Sequence, residues 1–587
     1  MKPELIRVFH FITADQKCRR PPHTKQPLNN MKKLTFILFS CLIHASIFSQ
    51  KSAALEVASS AKIDKVIPEL MKTAGIPGLS IAIVKGNEVV YDKAFGVRSM
   101  DTEEPVTTQT IFSAASLSKA LFAYGLMQLV EEGKFDLDKP LYEYLPYSDL
   151  DHDDRYKKLT ARHVLSHTTG LPNWRRGDQL EFVRDPGVKF GYSGEGFVFL
   201  MKVVEEVSGQ SIDDFMADRV FRPLGMKRSS YVWQESFESD HAIPHDQFEI
   251  TRRVNKPQYG NTAYSLQTTA ADYILFIKAM LNAEGLKAKS IDDMLDDQID
   301  VVAGSSEVQW GLGIGLQNTR DGKAFWHWGD NGTFKAFFVA YPKQKIGLVY
   351  FANSSNGLSI TGELLSACIG GDYPSVRWND YEGPKAPARL LLNHIREQGT
   401  DTGTWPFMDE NGQHQDTTKI SESPMNSLGY QLFNLNLREP ALAVLKMNAA
   451  AYPRSANAQD SYGEALLRTG HPKAAADAYE RAAQLDTSNT TAKAIVQQIR
   501  ETNHSGNTTF MLKDYPYARS VQLTGDFNNW NRLTCPMIRE NGQWIGRVDL
   551  DPGTYHYKFI VDGIGIIDPA NSKSVYEDGH ASVLEKE

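Results

Sequence analysis

The stretch Ile111-Phe112-Ser113-Ala114-Ala115-Ser116-Leu117-Ser118-Lys119 runs unbroken into Ala120-Leu-Phe-Ala-Tyr-Gly-Leu-Met-Gln-Leu-Val130, which is apolar nearly all round. A helix of that pattern has no face for water, so it must lie at the centre of a domain with everything else packed about it. The spacing places Ser116 at or near the helix start and Lys119 one turn along on the same face. Backbone N–H groups and the positive end of the helix dipole favour negative charge developing on such a hydroxyl. The dipole and burial both disfavour an ammonium, so the lysine is expected to titrate low, towards a neutral amine able to take a proton. A serine can then act as nucleophile without a nearby histidine. The spacing alone is weak evidence. Ser59 and Lys62 repeat it on a lysine- and serine-rich stretch, where a helix cap followed by a surface lysine accounts for it.

With 587 residues the chain has room for three or four domains, and its 41% hydrophobic and 23% charged content is ordinary for globular protein. A net charge of -8 with no sustained basic stripe gives no reason to expect nucleic acid. Cys18 and Cys41 lie near the N-terminus and Cys368 and Cys535 stand far apart, so a disulfide framework is not expected. Met31-Lys32-Lys33, the mostly apolar stretch Leu34 to Phe48 and small Ser49 before Gln50 have the make-up of a signal peptide. Export is therefore expected, with Met31 as the true start. The alternative is a lipoprotein, with Leu38-Phe39-Ser40-Cys41 as its lipidated box.

In chain order, residues 63–75 read as a helix stopped by Gly75-Ile76-Pro77-Gly78. Leu79 to Val84 and Val89 to Val97 read as strands joined by a Lys85-Gly86-Asn87-Glu88 hairpin turn. Beyond the Ser116 helix, Leu159 to Pro172 reads as a short helix ended by Gly170 and Pro172. Strands are expected at Trp310–Gln317, Ala324–Trp328, Phe334–Tyr341 and Ile346–Asn353, then a helix from Ile360 to Cys368. Strands at both ends and helices between suggest one antiparallel sheet flanked by helices.

Four motifs occur in order: Phe112-x-x-x-Ser116-x-x-Lys119, Leu-Ser-His167-Thr-Thr-Gly-Leu-Pro, Pro-Gly-x-x-Phe-x-Tyr192-Ser, and His327-Trp328-Gly329. Over about residues 60–370 they resemble the class C β-lactamase-like, penicillin-binding-protein-like serine hydrolases, which include D-peptidases, esterases and β-lactamases. The resemblance implies that Ser116 is acylated, that Lys119 holds or relays its proton, and that Tyr192 activates the serine and protonates the leaving group. A phenol needs a neighbouring positive charge to do so near neutral pH, and Lys119 and His327 are the candidates to supply one. Away from the motifs, Tyr192 would read as a half-buried aromatic and His327, between two tryptophans, as a packed core residue. His327 and Gly329 share one face of a strand, where Gly329 would let substrate lie close. The backbone N–H groups of Ser116 and Asp330 are then the expected oxyanion hole. His167 reads as a turn-stabilising residue, and Glu195 as a neighbour able to shift Tyr192. Two departures count against efficient β-lactam hydrolysis. Position 194 is glycine where the family usually has asparagine, and the third motif begins with histidine instead of lysine, weakening the grip on a carboxylate.

Proline- and glycine-rich residues 372–424 read as a linker with one helix at Ala388–Arg396. From Asn426 a 34-residue offset relates Asn426–Gly429 to Asp460–Gly463, Leu432 to Leu466, Ala441 to Ala475 and Leu445 to Tyr479. This period resembles tetratricopeptide repeats, which implies either a groove for a peptide or protein partner or a helical spacer. The last segment alternates as strands and resembles immunoglobulin-like glycogen-binding modules, with Trp530 and Lys558 at the positions that meet sugar. The second stacking tryptophan of that family falls at Gly565, so weak glycan binding or a structural β-sandwich is implied.

The expected architecture is multidomain: a leader over 1–49, an α+β β-lactamase/transpeptidase-like domain over 50–371, a linker over 372–424, a short α-helical repeat segment over 425–502, and a C-terminal β-sandwich over 503–587. The expected function is an exported serine hydrolase forming a Ser116 acyl-enzyme on a small ester or amide, perhaps an acyl group on a carbohydrate. The alternatives are a D-amino-acid peptidase or weak β-lactamase, and an inactive scaffold or sensor. No metal or other cofactor is expected.

Overall fold

The computed structural model describes residues 55–398 and 421–587, apart from 436, 503–505, 514, 516, 517, 519, 533–534, 541–542 and 576–580. The expected leader, with Met31 and Cys41, lies outside the described residues. So does the middle of the expected linker.

Eight strands form one antiparallel sheet: β1 Gly78–Lys85, β2 Glu88–Gly96, β3 Ile299–Val302, β4 Ser305–Trp310, β5 Gly315–Thr319, β6 Gly322–Asp330, β7 Lys335–Tyr341 and β8 Ile346–Ala352, in the order β2-β1-β8-β7-β6-β5-β4-β3. The two ends of the domain meet where β1 pairs with β8, Leu79 opposite Ala352. β7 and β8 are buried along their whole length because helices cover both faces. On one face lie α1 (Ser60–Ala74) and α5 (Thr361–Ile369), closing over Leu79, Ile81, Ile83, Phe337 and Leu348. On the other lie α2 (Leu117–Glu131), α3 (Gly194–Ser208) and α4 (Ala270–Asn282). Ser59 caps α1 by accepting from the Lys62 N–H, and Lys62 is exposed, so this second Ser-x-x-Lys is the cap and surface lysine its composition suggested.

The strand expected over Trp310–Gln317 is instead two strands with a turn at Gly311–Ile314. Gly313 has φ +77°, and a Cβ there would lie 2.4 Å from that of Ala123 on α2. The turn therefore serves close contact with the central helix, which periodicity along one strand does not report.

Residues 372–398 are not a free linker. α6 (Pro374–Asn379) is held by Ser375 N–H donating to Gln317 at 3.1 Å. α7 (Pro387–Gln398) is stapled to the hydrolase domain by Asn393, which donates to the Thr73 carbonyl at 3.0 Å. Leu391, Leu392 and Ile395 of α7 share a core with Met425 and Leu428 of α8 (Glu422–Asn434). The helices α9 (Arg438–Ala451), α10 (Ala456–Arg468), α11 (Pro472–Leu485) and α12 (Thr490–Thr502) follow. The 34-residue period has a packing basis. Gly429 on α8 lies under Leu445 on α9, and Gly463 on α10 lies under Tyr479 on α11, each too close to its partner for a Cβ.

The C-terminal segment forms two facing sheets. One is β9 (Thr508–Leu512), β11 (Ile538–Glu540) and β12 (Gln543–Val548). The other is β10 (Val521–Gly525), β13 (Gly553–Val561), β14 (Ile564–Ile566), β15 (Ser574–Val575) and β16 (Ala581–Lys586). Arg438 of α9 reaches Asp562, in the turn after β13, at 3.1 Å and so ties the helices to the sandwich.

Replacing Gly313 by alanine is expected to combine backbone strain with overpacking against α2, costing about 1–3 kcal/mol. A fall in the denaturant midpoint of the hydrolase domain, read by tryptophan fluorescence, checks this. An unchanged midpoint contradicts it.

Candidate active site

α2 owes its position to its first turn. Phe112-Ser113 pairs with Gln267-Thr268, the Ala114 N–H donates to the Leu266 carbonyl at 2.8 Å, and Ser118 Oγ accepts from the Leu266 N–H at 3.1 Å. Buried Tyr231 and Tyr273 donate to the carbonyls of Ser118 and Leu117, at 2.6 and 2.9 Å. Ala115 is forced to φ +48°, which an alanine adopts only at a cost, and the chain then turns so that Ser116 caps the helix, half-buried.

Lys119 is buried, with Nζ 3.2 Å from Ser116 Oγ and donating to the Ala263 carbonyl at 2.6 Å. Burial pushes its pKa down to about 7. An amine that gives one N–H to Ala263 can direct its lone pair at the Ser116 hydroxyl. Tyr192 stands beside both, its ring centroid 4.9 Å from Lys119 Nζ. Its Oη makes no hydrogen bond of full geometry, although it lies near enough to Ser116 for that hydroxyl to lower its pKa. Burial outweighs this and raises the phenol above its ordinary value, so Tyr192 is protonated at neutral pH.

His327 cannot supply the positive charge expected of it. It is fully buried, and burial first, then the Lys119 charge, push its pKa down to about 3. The neutral ring donates from Nδ1 to the Trp328 carbonyl at 2.7 Å, leaving Nε2 as an acceptor with no partner among the described residues. His167 is also neutral and buried, and its Nδ1 accepts from the Ser193 N–H at 3.0 Å. Its ring packs 4.2 Å from that of Tyr192, so its turn-stabilising contact also sets the wall behind the phenol.

Gly329 has a packing role that its motif does not report. A Cβ there would come within 2.5 Å of the Ala114 carbonyl oxygen, so the missing side chain admits the serine-bearing turn. β5 ends its pairing at Trp326, so His327 to Asp330 present an unpaired edge towards Ser116. Asp330 is pinned through its carboxylate, which pairs with Lys335 and accepts from Tyr381 at 2.7 Å. Glu195 is turned away from Tyr192 and is held by Arg175 at 2.8 Å. The glycine at 194 has a packing cause, since a Cβ there would strike the Trp174 ring at 2.5 Å. Trp174 and the Ala263 carbonyl belong to loops with no recognisable spacing, and only the folded chain brings them to Gly194 and Lys119 respectively.

On the C-terminal module Trp530 is 38% exposed, and its Nε1 donates to Asp526 at 3.1 Å. Lys558 Nζ lies 5.3 Å above its ring, and Gly565 faces the Lys558 stem where a second ring would be needed.

With this geometry, comparison with known proteins is decisive for the family. The family model described as Beta-lactamase matches residues 63–363, just over half of the chain. The chain belongs to the β-lactamase family. A second model, Glycogen recognition site of AMP-activated protein kinase, matches residues 509–584. Among curated relatives, Protein flp of Staphylococcus aureus (strain MW2) is 26% identical over 318 residues, 50% of this chain and 63% of that protein. Penicillin-binding protein 4* of Bacillus subtilis (strain 168) is 23% identical over 326 residues, 49% of this chain and 70% of that one. The chain thus spans less than two thirds of the Protein flp relative. Similar solved structures include the octameric penicillin-binding protein homologue from Pyrococcus abyssi, with TM-score 0.47 and 25% identity over 57% of this chain and 81% of that one. A class C β-lactamase has TM-score 0.47 and 20% identity over 53% of this chain and 97% of that one.

For any reaction this site performs on Ser116, kcat/KM is expected to fall as pH drops below about 7, because Lys119 then gains a proton, and to level off above it. Lys119→Arg, which stays charged, is expected to lose about 10²–10⁴-fold. A pH series on an activated ester reads both, and a limb near the ordinary lysine range would contradict the assignment.

Proposed function

We propose that the chain is a serine hydrolase that cleaves a small ester or amide through a Ser116 acyl-enzyme, with esters of neutral alcohols preferred. The observation that supports it most is the convergence of a near-neutral amine and a protonated phenol on one hydroxyl at the start of a buried helix. In this reading Lys119 takes the Ser116 proton as Oγ attacks the carbonyl carbon. The oxyanion forms against the N–H groups of Ser116 and Asp330, a contribution of about 3 kcal/mol per donor in comparable sites. Tyr192 gives its proton to the departing oxygen or nitrogen and recovers one from the Lys119 ammonium. Water then reverses these transfers to release the acid. The neutral His327 removes a cation that would grip a substrate carboxylate, and the tryptophan over Gly194 stands where an amide contact to substrate would be, which weighs against the D-peptidase and β-lactamase alternatives. A complete set of reactive groups weighs against a scaffold.

For the other segments, the match at 509–584 and the partly exposed Trp530 support weak glycan binding, which would bring the hydrolase to an acylated carbohydrate. The helical repeats are read as tetratricopeptide-like, serving as spacer or partner groove, and the N-terminal composition supports export.

The intact protein exposed to p-nitrophenyl butyrate is expected to gain one butyryl mass on the peptide containing Ser116, and Ser116→Ala is expected to gain none. Turnover of nitrocefin or D-Ala-D-Ala peptides but not esters would replace this reading with the peptidase one, and silence on all three would leave the scaffold. In affinity electrophoresis with glucans and xylans, Trp530→Ala is expected to migrate faster than wild type, and equal mobility with every polymer would remove glycan binding.

A further inference from the structure

The active site has a wall that lies outside the part of the chain matched by the family model, which ends at residue 363. α6 follows that boundary and presents Trp378, whose ring centroid is 5.5 Å from Trp328 and 5.8 Å from Trp326. Asp380, at φ +51°, turns the chain back, and Tyr381 then donates to Asp330 at 2.7 Å. Trp328 in turn packs 4.8 Å from Tyr192. Two rings, Trp328 and Trp378, therefore run outward from Tyr192, and Tyr381 joins them through Asp330, the neighbour of Gly329 on the same strand. Trp328 and Trp378 are half-buried, and Tyr381 is 39% exposed.

Two cations beside this shelf are paired. Lys335, 5.6 Å over the Tyr381 ring, is paired with Asp330, and Arg377 is paired with Asp372. Aromatic faces without a free cation suit a flat apolar surface and offer nothing to a carboxylate.

We propose that Trp328, Trp378 and Tyr381 form the leaving-group subsite, shaped for an alcohol that carries a flat, uncharged ring. The assignment rests on the ester reading above and names the alcohol side of its substrate. Tyr381 has a second part as a positioning residue, because its hydroxyl holds the carboxylate of Asp330.

The test compares kcat/KM on the benzyl, 4-carboxybenzyl and ethyl esters of one acid, for the full chain and for Trp378→Ala, Tyr381→Ala and Tyr381→Phe. Wild type is expected to favour benzyl over ethyl and over 4-carboxybenzyl. Both alanine variants are expected to lower the benzyl-to-ethyl ratio about fivefold, the scale of one aromatic contact. Tyr381→Phe keeps the ring, so it should keep the ratio while losing rate on both esters. A ratio unchanged in both alanine variants, or a preference for 4-carboxybenzyl, overturns the subsite. Trp378 also packs on Trp326, so if its alanine variant fails to fold, Tyr381→Ala decides alone. Wild type that turns over none of the three esters removes the ester reading and the subsite with it, whereas turnover with an unmoved ratio removes only the subsite.

Discussion

The removal of one lysine from water organises this domain. Lys119 sits on a helix that the sheet and its covering helices enclose on all sides, with Leu121 and Phe122 fully buried beside it. A charge placed there would cost far more than two hydrogen bonds return, so the amine gives up its proton near pH 7 instead. The same dryness acts on its neighbours in the direction their chemistry dictates. It keeps the proton on Tyr192 and takes it off His327. The site is thus a set of three groups that are all neutral, or nearly so, at the pH where they would work. The resting site therefore holds no unpaired ion deep in the protein.

Dryness alone would not align these groups. The backbone does that, and it does so under strain: a left-handed alanine at 115 and a strand glycine at 329 allow the Ser116 turn to press against the edge of β6. Strain of about 1–3 kcal/mol at a non-glycine position persists only where the surroundings over-determine it. Here they do, through the Ala114–Leu266 and Ser118–Leu266 bonds and the two buried tyrosines on the first-turn carbonyls. The rigidity that holds the nucleophile therefore comes from residues more than a hundred positions away.

That distance separates what could be read in the sequence from what could not. The all-apolar run after Lys119 showed a buried helix with Ser116 at its start, and the Gly86-Asn87 turn, the β7 and β8 strands and the 34-residue period were equally local signals. Local patterns survive because each element's burial is imposed along its own length. The features that were not legible share the opposite character. Gly313 breaks a strand because of Ala123, Gly194 is small because of Trp174, Gly329 because of Ala114, and Glu195 is occupied by Arg175. Each is a pairwise contact across the fold that no spacing encodes. The positive charge expected of His327 failed for a related reason, since burial decides its state and burial depends on the whole domain.

The same departures, taken together, change the character of the site. A lysine at position 327 would place a cation beside the substrate, and an asparagine at 194 would offer an amide; here those places hold an uncharged ring and the face of Trp174. Lys335 is paired with Asp330, which Tyr381 also holds. Under the proposed ester reading, an anionic group brought beside position 327 would lose water without gaining the cation that a lysine there would supply. A neutral ester loses little on desolvation, which is why the proposed reading suits these places. The serine, lysine and tyrosine of the family motifs thus remain together, whereas positions 194 and 327 beside them offer neither an amide nor a charge.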